Sequence, residues 1–436
     1  MHKLPGQKAT AQGLVFGSTV FLSALVTPIA YSDELALSLT DAINDGKFLL
    51  HTHTRAEAVD DSATNNKDAS AITHRTYLGY ETGKINHFSA RIAFENIVHL
   101  MDDFSVPGET PRGFDVVADP EGTEVEEAFI TYTGFDKTAI KVGRQYLTYR
   151  PAPLHRFIGT VPWRQNWQSM DAISIENKSI DNLTINYAYV DNVNRIFGED
   201  NPNRDLADSP MSSHLVNLQY EGSPIGSIEG FYYHLDYDKD TLAGPFTDRS
   251  TLGVKIQGKR DISDTLGFTY LGEVSHQRAI KDNQTSFDSA NQYRVELGVN
   301  SKTDFDLVKK PGIKFGYEVL ESDGGLSFAT PLATVHAFQG WADRFIGFPN
   351  AGVQDLYVAA SGTLIGGIKL VAIFHDFSTD AGNSDYGQEF DFQATKKFGK
   401  WALSFKHANY MGSNEAAVGA IGRDKTVSWL FADFTL

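Results

Sequence analysis

The chain has 436 residues, no cysteine, and 38 Lys plus Arg against 55 Asp plus Glu, for a formal charge of −17. Without cysteine it holds neither a disulfide framework nor a thiolate metal site, and its acid surplus opposes nucleic acid as a partner through long-range repulsion. Mean hydropathy is −0.28, and beyond the first thirty residues no run approaches the ~18 apolar residues of a membrane helix, which excludes a helical membrane protein.

In chain order, His2, Lys3 and Lys8 precede an apolar stretch from Leu14 to Val26, followed by Pro28 and Ala30-Tyr31-Ser32 ahead of Asp33 and Glu34. This order predicts a secretory signal over 1–32 with a small-x-small cleavage site. Losing Lys3 and Lys8 with it leaves 36 bases against 55 acids, a balance of −19. No linker, low-complexity tract or composition shift divides 33–436, so one domain is expected.

The body alternates apolar and polar residues in 18 runs: 47–58, 73–81, 84–98, 123–133, 137–146, 169–177, 182–190, 212–221, 226–238, 249–259, 264–278, 291–301, 312–321, 353–362, 367–377, 386–397, 400–410 and 425–436. About ten residues at 3.3 Å each, tilted near 40°, cover roughly 25 Å of hydrocarbon. Links after even-numbered runs are short, such as Thr82-Gly83, Gly366 and Gly399, with a longer exception at 303–310. Links after odd-numbered runs are long, including 99–122, 147–168, 191–211 and 322–352. That rhythm predicts an all-β fold: a transmembrane antiparallel β-barrel of about 18 strands with short periplasmic turns and long extracellular loops. A soluble sandwich also alternates, but its loops have no reason to keep the long/short beat.

Period-two parity assigns faces. In the third run Phe88, Ala90, Ile92 and Phe94 oppose Ser89, Arg91 and Glu95; in the twelfth, Tyr293, Val295 and Leu297 oppose Arg294 and Glu296. Lys or Arg costs roughly 2–4 kcal/mol when facing lipid at midplane, so the charged parity must face a polar lumen. The expected lumen wall includes Arg55, Arg75, Arg91, Lys255, Lys259, Arg294 and Lys314, with Glu57, Glu95, Glu127, Glu273, Glu296, Glu318, Asp355, Glu389 and Asp391 among them. Such a wall can pair internally to hold barrel shape, or act on passing solutes.

Two long links are too aromatic for solvated loops. Residues 147–168 carry Arg150, His155, Arg156, Trp163, Arg164 and Trp167, and 322–352 carry His336, Phe338, Trp341, Asp343, Arg344 and Phe345. Both are expected to fold inward or over the mouth and form a constriction. Asp236, Asp238 and Asp240 match the opening of a calcium loop, but Thr241 replaces the required glycine and Thr247 the bidentate glutamate. His51 and His53 share a face without a third ligand nearby in sequence. No metal or cofactor site is therefore assigned. None of the phosphate-binding, dinucleotide, zinc-protease or nucleophile-elbow motifs occurs, so an enzyme is not expected.

Particular segments carry a family likeness. Gly143-Arg144-Gln145, Trp163-Arg164-Gln165-Asn166 running to Met170-Asp171-Ala172, Tyr187-Ala188-Tyr189-Val190-Asp191-Asn192-Val193-Asn194-Arg195-Ile196-Phe197-Gly198, Phe338-Gln339-Gly340-Trp341-Ala342-Asp343-Arg344-Phe345 and Phe374-His375-Asp376-Phe377 together resemble the alginate-export family of outer-membrane barrels. The resemblance implies an 18-stranded barrel with an arginine-rich lumen passing an anionic polysaccharide. It implies Arg144, Arg164, Arg195 and Arg344 as lumen or constriction cations, with Asp171, Asp191 and Asp343 fixing them, alongside Trp163 and Trp341 of the inward loops. The sequence departs from that pattern in a mixed wall and in an acidic outer rim that includes Asp60, Asp61, Asp102, Asp103, Glu199 and Asp200.

The expectation is thus an outer-membrane channel, surrounded by outer-membrane lipid and lipopolysaccharide, for passive passage of hydrophilic anionic sugar-like solutes, with polysaccharide export as its specific version. The alternatives are a surface hydrolase carried on the barrel and a structural or adhesive barrel closed by its loops.

Overall fold

The computed structural model describes residues 38–238, 247–280, 287–333 and 336–436. The expected signal over 1–32, and Asp240 of the calcium-like loop, lie outside the described residues. A short helix, α1 (Leu39–Asn44), leads into eighteen strands: β1 (Lys47–Asp61), β2 (Ala69–Glu81), β3 (Phe88–Asp103), β4 (Gly122–Phe135), β5 (Thr138–Gln145), β6 (Ser169–Asn177), β7 (Leu183–Asn194), β8 (Asp208–Tyr220), β9 (Ser227–Leu235), β10 (Arg249–Asp261), β11 (Leu266–Ala279), β12 (Ser289–Ser301), β13 (Val308–Leu320), β14 (Val353–Leu364), β15 (Ile368–Ser378), β16 (Asp385–Phe398), β17 (Trp401–Gly412) and β18 (Lys425–Thr435). A second helix, α2 (Arg204–Ala207), precedes β8, and a 3-10 turn over Ala416–Gly422 precedes β18.

Every strand pairs antiparallel with its chain neighbour, and β1 also pairs with β18, from His51 opposite Thr435 to Asp61 opposite Lys425. The sheet is therefore a closed barrel, the form that satisfies all strand backbone groups where no water can do so. Each of the 18 expected runs lies on one strand, and the differences have local causes. β3 starts at Phe88 rather than 84 because Asn86 and His87 take φ of 47° and 71° and make the turn. β13 starts at Val308 rather than 312, because a register shift between Lys309 and Gly312 absorbs Lys310 (φ 44°) and Pro311 within the strand. The link that broke the short-turn rhythm shrinks accordingly.

The two faces separate as parity requires. Leu252, Phe315 and Leu356 stand outward, 61%, 56% and 54% exposed, in an apolar belt shared by Val254, Val295, Leu297 and Phe405. Rings gather near the strand ends, with Trp401 4.9 Å from Phe434 and Phe48 5.1 Å from Tyr80, as interfacial girdles do. Inward, Arg55, Arg75, Arg91, Glu95, Lys255, Arg294, Glu318 and Asp391 are all buried.

The lumen is largely filled. Residues 147–168 and 322–352 both fold into it and meet each other, with a β-bridge between Ile158 and Leu332 and a 2.9 Å hydrogen bond from Gly159 N to Leu332 O. Phe157, Ile158, Phe328, Leu332 and Phe348 pack there against Met170, Val190, Val193 and Phe231 of the wall. On the other side Trp341 and Phe345 pack against Val59, Phe377, Tyr410 and Trp429. An internal apolar core of this kind explains how such aromatic loops avoid water.

Candidate functional site

The constriction is built by charges that the strands project inward and the two loops then bind. Arg150 at the start of the first loop donates from Nε to both Glu229 oxygens at 3.1 Å and reaches Glu273 with Nη2. Arg156 donates to Glu318 at 2.7 Å and Gln339 at 2.9 Å, and Gln339 itself donates to Glu318 at 2.7 Å. Arg164 lies 3.3 Å from Glu57, which also pairs with Arg55, and the backbone of Gln165 donates to Asp119 at 3.0 Å. The first loop is thus tied to β1, β9, β11 and β13 at once.

The second loop is held by β16 and β17. Asp391 accepts from the Trp341 amide at 3.2 Å and Glu389 from the Ala342 amide at 2.8 Å. Gly340 (φ 78°) is required here, since a Cβ would stand 2.4 Å from Glu389 Oε2. Lys406 donates to His336 Nε2, which leaves the proton on Nδ1 to donate to Asp343 at 3.1 Å. The His336 ring stacks on Trp163, centroids 3.7 Å apart and planes 6° apart, and the Arg164 guanidinium lies 3.9 Å from the same indole. This stack joins the two loops at mid-lumen. Burial, reinforced by the Lys406 charge and opposed by Asp343, pushes the His336 imidazolium down to about 3.

Below the loops a cavity of about 460 Å³ remains between the first loop and the wall, lined by Arg150, Lys255, Lys259, Arg260, Arg294 and Lys314 against Glu221 and Glu296. Glu229 and Glu273 stand behind Arg150 and Lys255, so the six bases of the lining face four carboxylates and retain a surplus of two positive charges. It continues past Leu154, Arg294, Glu296 and Lys314 into a narrow pocket of about 40 Å³ whose other side is Phe338, Trp341, Ala359, Val371 and Ile373. One bank of the path therefore carries paired charges, Arg294 and Lys314 with Glu296 beside Glu318, and the other is mostly apolar, interrupted by Tyr357 and His375.

The residues singled out from the sequence fall into three places. Arg164, Trp163, Trp341, Asp343 and Arg344 belong to the loop junction, where Arg344 clamps Asp61 with both terminal nitrogens, at 3.0 and 2.6 Å. Arg55, Arg75, Arg91, Lys255 and Arg294 are buried in the wall, Lys314 is half-buried there, and Lys259 is exposed at the periplasmic end of the cavity. Arg75 there pairs with Glu95 and lies 4.2 Å from the Trp167 ring, while Arg91 pairs with Glu81 and Glu127. The third group is outside the lumen. Arg144 and Asp171 pair with each other at 2.9 Å on the outward parity of β5 and β6, near the extracellular rim. Asp191 is an exposed bulge residue between the Val190 and Asn192 pairs, and Arg195 sits in the following loop, 3.2 Å from the Asp205 carbonyl and 5.3 Å from the Phe197 ring. The structure does not bring Arg144, Asp171, Asp191 or Arg195 to the constriction.

Of the other groups at the lumen, Glu126, Val371 and Ile373 were not singled out beforehand. Glu126 and Glu127 are both buried because a register shift between Ala93 and Phe94 inserts Glu126 as an extra residue, which strict alternation misses. Asp119 reaches the lumen from the loop 104–121 and pairs with Arg55. Val371 and Ile373 share the parity of inward His375, a sign that alternation did carry, yet they resemble lipid-facing residues in type. The two histidines on one face of β1 both meet Asp433, His53 at 2.6 Å and His51 at 3.5 Å.

No protein-family model matches the chain, and no curated protein matches it. The motif resemblance to alginate-export barrels thus has no family model behind it. Among solved structures, the chain is similar to OccAB2 of Acinetobacter baumannii, at 16% identity over 91% of this chain and 99% of that one, with a TM-score of 0.65. It is similar to OccK9 (OpdG) of Pseudomonas aeruginosa, at 10% identity over 91% of this chain and 100% of that one, TM-score 0.66. It also resembles OpdK of Pseudomonas aeruginosa with vanillate, at 11% identity over 90% of this chain and 99% of that one, TM-score 0.63. At such identities the likeness shows a shared fold: a closed, porin-like antiparallel barrel of 18 strands.

Proposed function

We propose that the chain is a passive channel of the outer membrane that takes small anionic solutes with an apolar body, such as aromatic or cyclic carboxylates. The observation that carries this reading is the two-banked path below the loops, with Arg150, Lys255, Arg294 and Lys314 on one side and Phe338, Trp341, Val371 and Ile373 on the other. A carboxylate is matched by guanidinium and ammonium donors, and a ring or short chain by the apolar bank. The neighbour OpdK was captured with vanillate, an acid of this description, which supports the reading by analogy of fold.

Export of an alginate-like polyuronate is the other version of an anion path. The motif resemblance favours it, but the junction of the two loops weighs against a polymer, because a chain of sugars needs an open bore along its whole length. Among the described residues His375 lines the path with Nδ1 2.9 Å from Asp355 and Nε2 3.7 Å from Asp391, both ring nitrogens facing carboxylates and not a hydroxyl that they could activate.

The test is the reversal potential of purified protein in a planar bilayer under a salt gradient, followed by addition of benzoate and of a uronate oligomer. The expected result is anion-leaning conductance that benzoate blocks. A cation-leaning potential, or block by the oligomer but not by benzoate, overturns the small-solute reading.

A further inference from the structure

The two cavities of the path meet at a neck. Leu154 of the first loop, Arg294 and Glu296 of β12 and Lys314 of β13 line both of them, so a solute moving from the larger to the smaller passes this set. Arg294 and Glu296 stand two residues apart on the inward face of β12. Phe338 of the second loop lies beside the guanidinium, its ring centre 5.0 Å from Arg294 Cζ, a cation–π contact that holds the group in place.

At the neck three donors crowd onto one atom. Arg294 Nη2, Lys314 Nζ and the Tyr357 hydroxyl all approach Oε1 of Glu296, Lys314 at 3.0 Å. Arg294 Nη1 has no hydrogen-bond partner among the described residues, and, unlike Nε of the same side chain, it is not sealed from the lumen. Two fixed cations against one carboxylate leave a surplus of one positive charge, with an open N–H pair aimed at the path. A monocarboxylate matches both.

Conduction needs a site that attracts a solute enough to admit it and releases it soon enough to pass it on. Arg294 and Lys314 alone would hold a carboxylate through two charge-assisted contacts in a lumen that the loops have largely dried, where such contacts are strong. Glu296 divides their donors. In the empty neck its carboxylate occupies both cations, and when a solute takes Arg294 Nη1 it remains in place to reclaim them.

We propose that Glu296 is a resident counterion that competes with the solute's carboxylate for Arg294 and Lys314 and thereby sets how long the solute stays. The inference rests on the small-anion reading of the path and adds the group that limits its affinity. Tyr357 weakens the competitor, because its hydroxyl draws on the same Glu296 oxygen. The dwell time of benzoate block in single-channel records of the full chain tests it. Glu296→Gln keeps the shape and an acceptor for Tyr357 but removes the charge, and is expected to lengthen the mean blocked time at least about fivefold, the ratio that ~1 kcal/mol represents. Tyr357→Phe keeps the ring and every charge, frees the carboxylate from one donor, and is expected to shorten the blocked time. A neck that was merely loosened would shift both variants in the same direction. Glu296→Asp, which withdraws the carboxylate by one methylene, is expected to fall between parent and Glu296→Gln, and carries the test where the latter does not assemble. Equal dwell times in parent and Glu296 variants, or a longer one in Tyr357→Phe, overturn the proposal and leave the channel reading standing. A parent that benzoate does not block overturns both.

Discussion

Replacing Arg344 by methionine tests whether the second inward loop narrows the lumen. The guanidinium binds Asp61 at 3.0 and 2.6 Å and the Asp424 carbonyl at 2.8 Å, tying the loop to the seam between β1 and β18. Removing one member of a fully buried ion pair costs roughly 3–5 kcal/mol, and of an exposed pair about 0–1 kcal/mol. Here the side chains are 8% and 15% exposed, close to the buried case but near water at the mouth, so a cost of about 2–3 kcal/mol is expected once solvent screening is allowed for. At ~1.4 kcal/mol per decade, that is a roughly 30- to 150-fold shift away from the docked loop. In planar bilayers Arg344→Met should raise single-channel conductance and noise relative to the parent. The double variant Arg344→Met/Asp61→Leu, which leaves no unpaired carboxylate, should recover most of the parent record. If Arg344→Met folds normally, with a lowered thermal midpoint but an unaltered conductance, the loop is not what narrows the pore.

Other expectations follow from the same geometry. Lys255→Ala combined with Lys314→Ala removes two of the six bases around the larger cavity and should move the reversal potential toward zero selectivity; an unchanged potential would remove that cavity from the ion path. Trp163→Ala deletes the stack on His336 and the contact with Arg164, at about 1–2 kcal/mol beyond lost area for the two ring contacts, to be read as a lower thermal midpoint. Gly143→Ala places a Cβ 2.2 Å from the Ala128 carbonyl at φ 125°, so folded yield into vesicles should fall steeply, whereas Gly399→Ala, with open space around it, should fold to a far greater extent. Acidification acts on the docked loop through His336 among other groups, since its docked form takes up a proton only near pH 3 while a released loop does so near 6.5. Between those values the released loop binds the extra proton, so docking weakens as pH falls, and conductance should rise from pH 7 to pH 4 in the parent but much less in His336→Gln.

The barrel was legible because two constraints act on every strand: lipid on one side and polar groups on the other. Alternation in 47–58 and 291–301 could not be moved by one residue without turning Arg55 or Arg294 outward, which fixes both strand and face. Parity failed where a bulge resets it, as at Glu126; Arg144 and Asp171 were placed in the lumen by the motif resemblance, not by parity, and they stand outward where the strand rises above the belt. There the lipid constraint ends and an outward charge costs little. The loops were legible in composition, since Trp163, Trp341 and Phe345 could not stay in water. Their mutual contact was not, because the bridge between Ile158 and Leu332 joins segments 174 positions apart by backbone hydrogen bonding, which side-chain pattern does not encode. The apolar bank at Val371 and Ile373 was hidden for a related reason: in a lumen that a folded loop already dries, an inward valine has the same environment as an outward one.

The pairing of β1 with β18 makes the first and last strands each other's neighbours. Consequently the chain cannot be shortened into a narrower but working pipe: deleting β18 bares the hydrogen-bonding rims of both β1 and β17, and these would have to find new partners in hydrocarbon or in another molecule. The final rungs at His51–Thr435 and His53–Asp433 complete the hoop only after everything between them has been made, so loss of the last dozen residues should yield insoluble aggregate instead of a leaky pore.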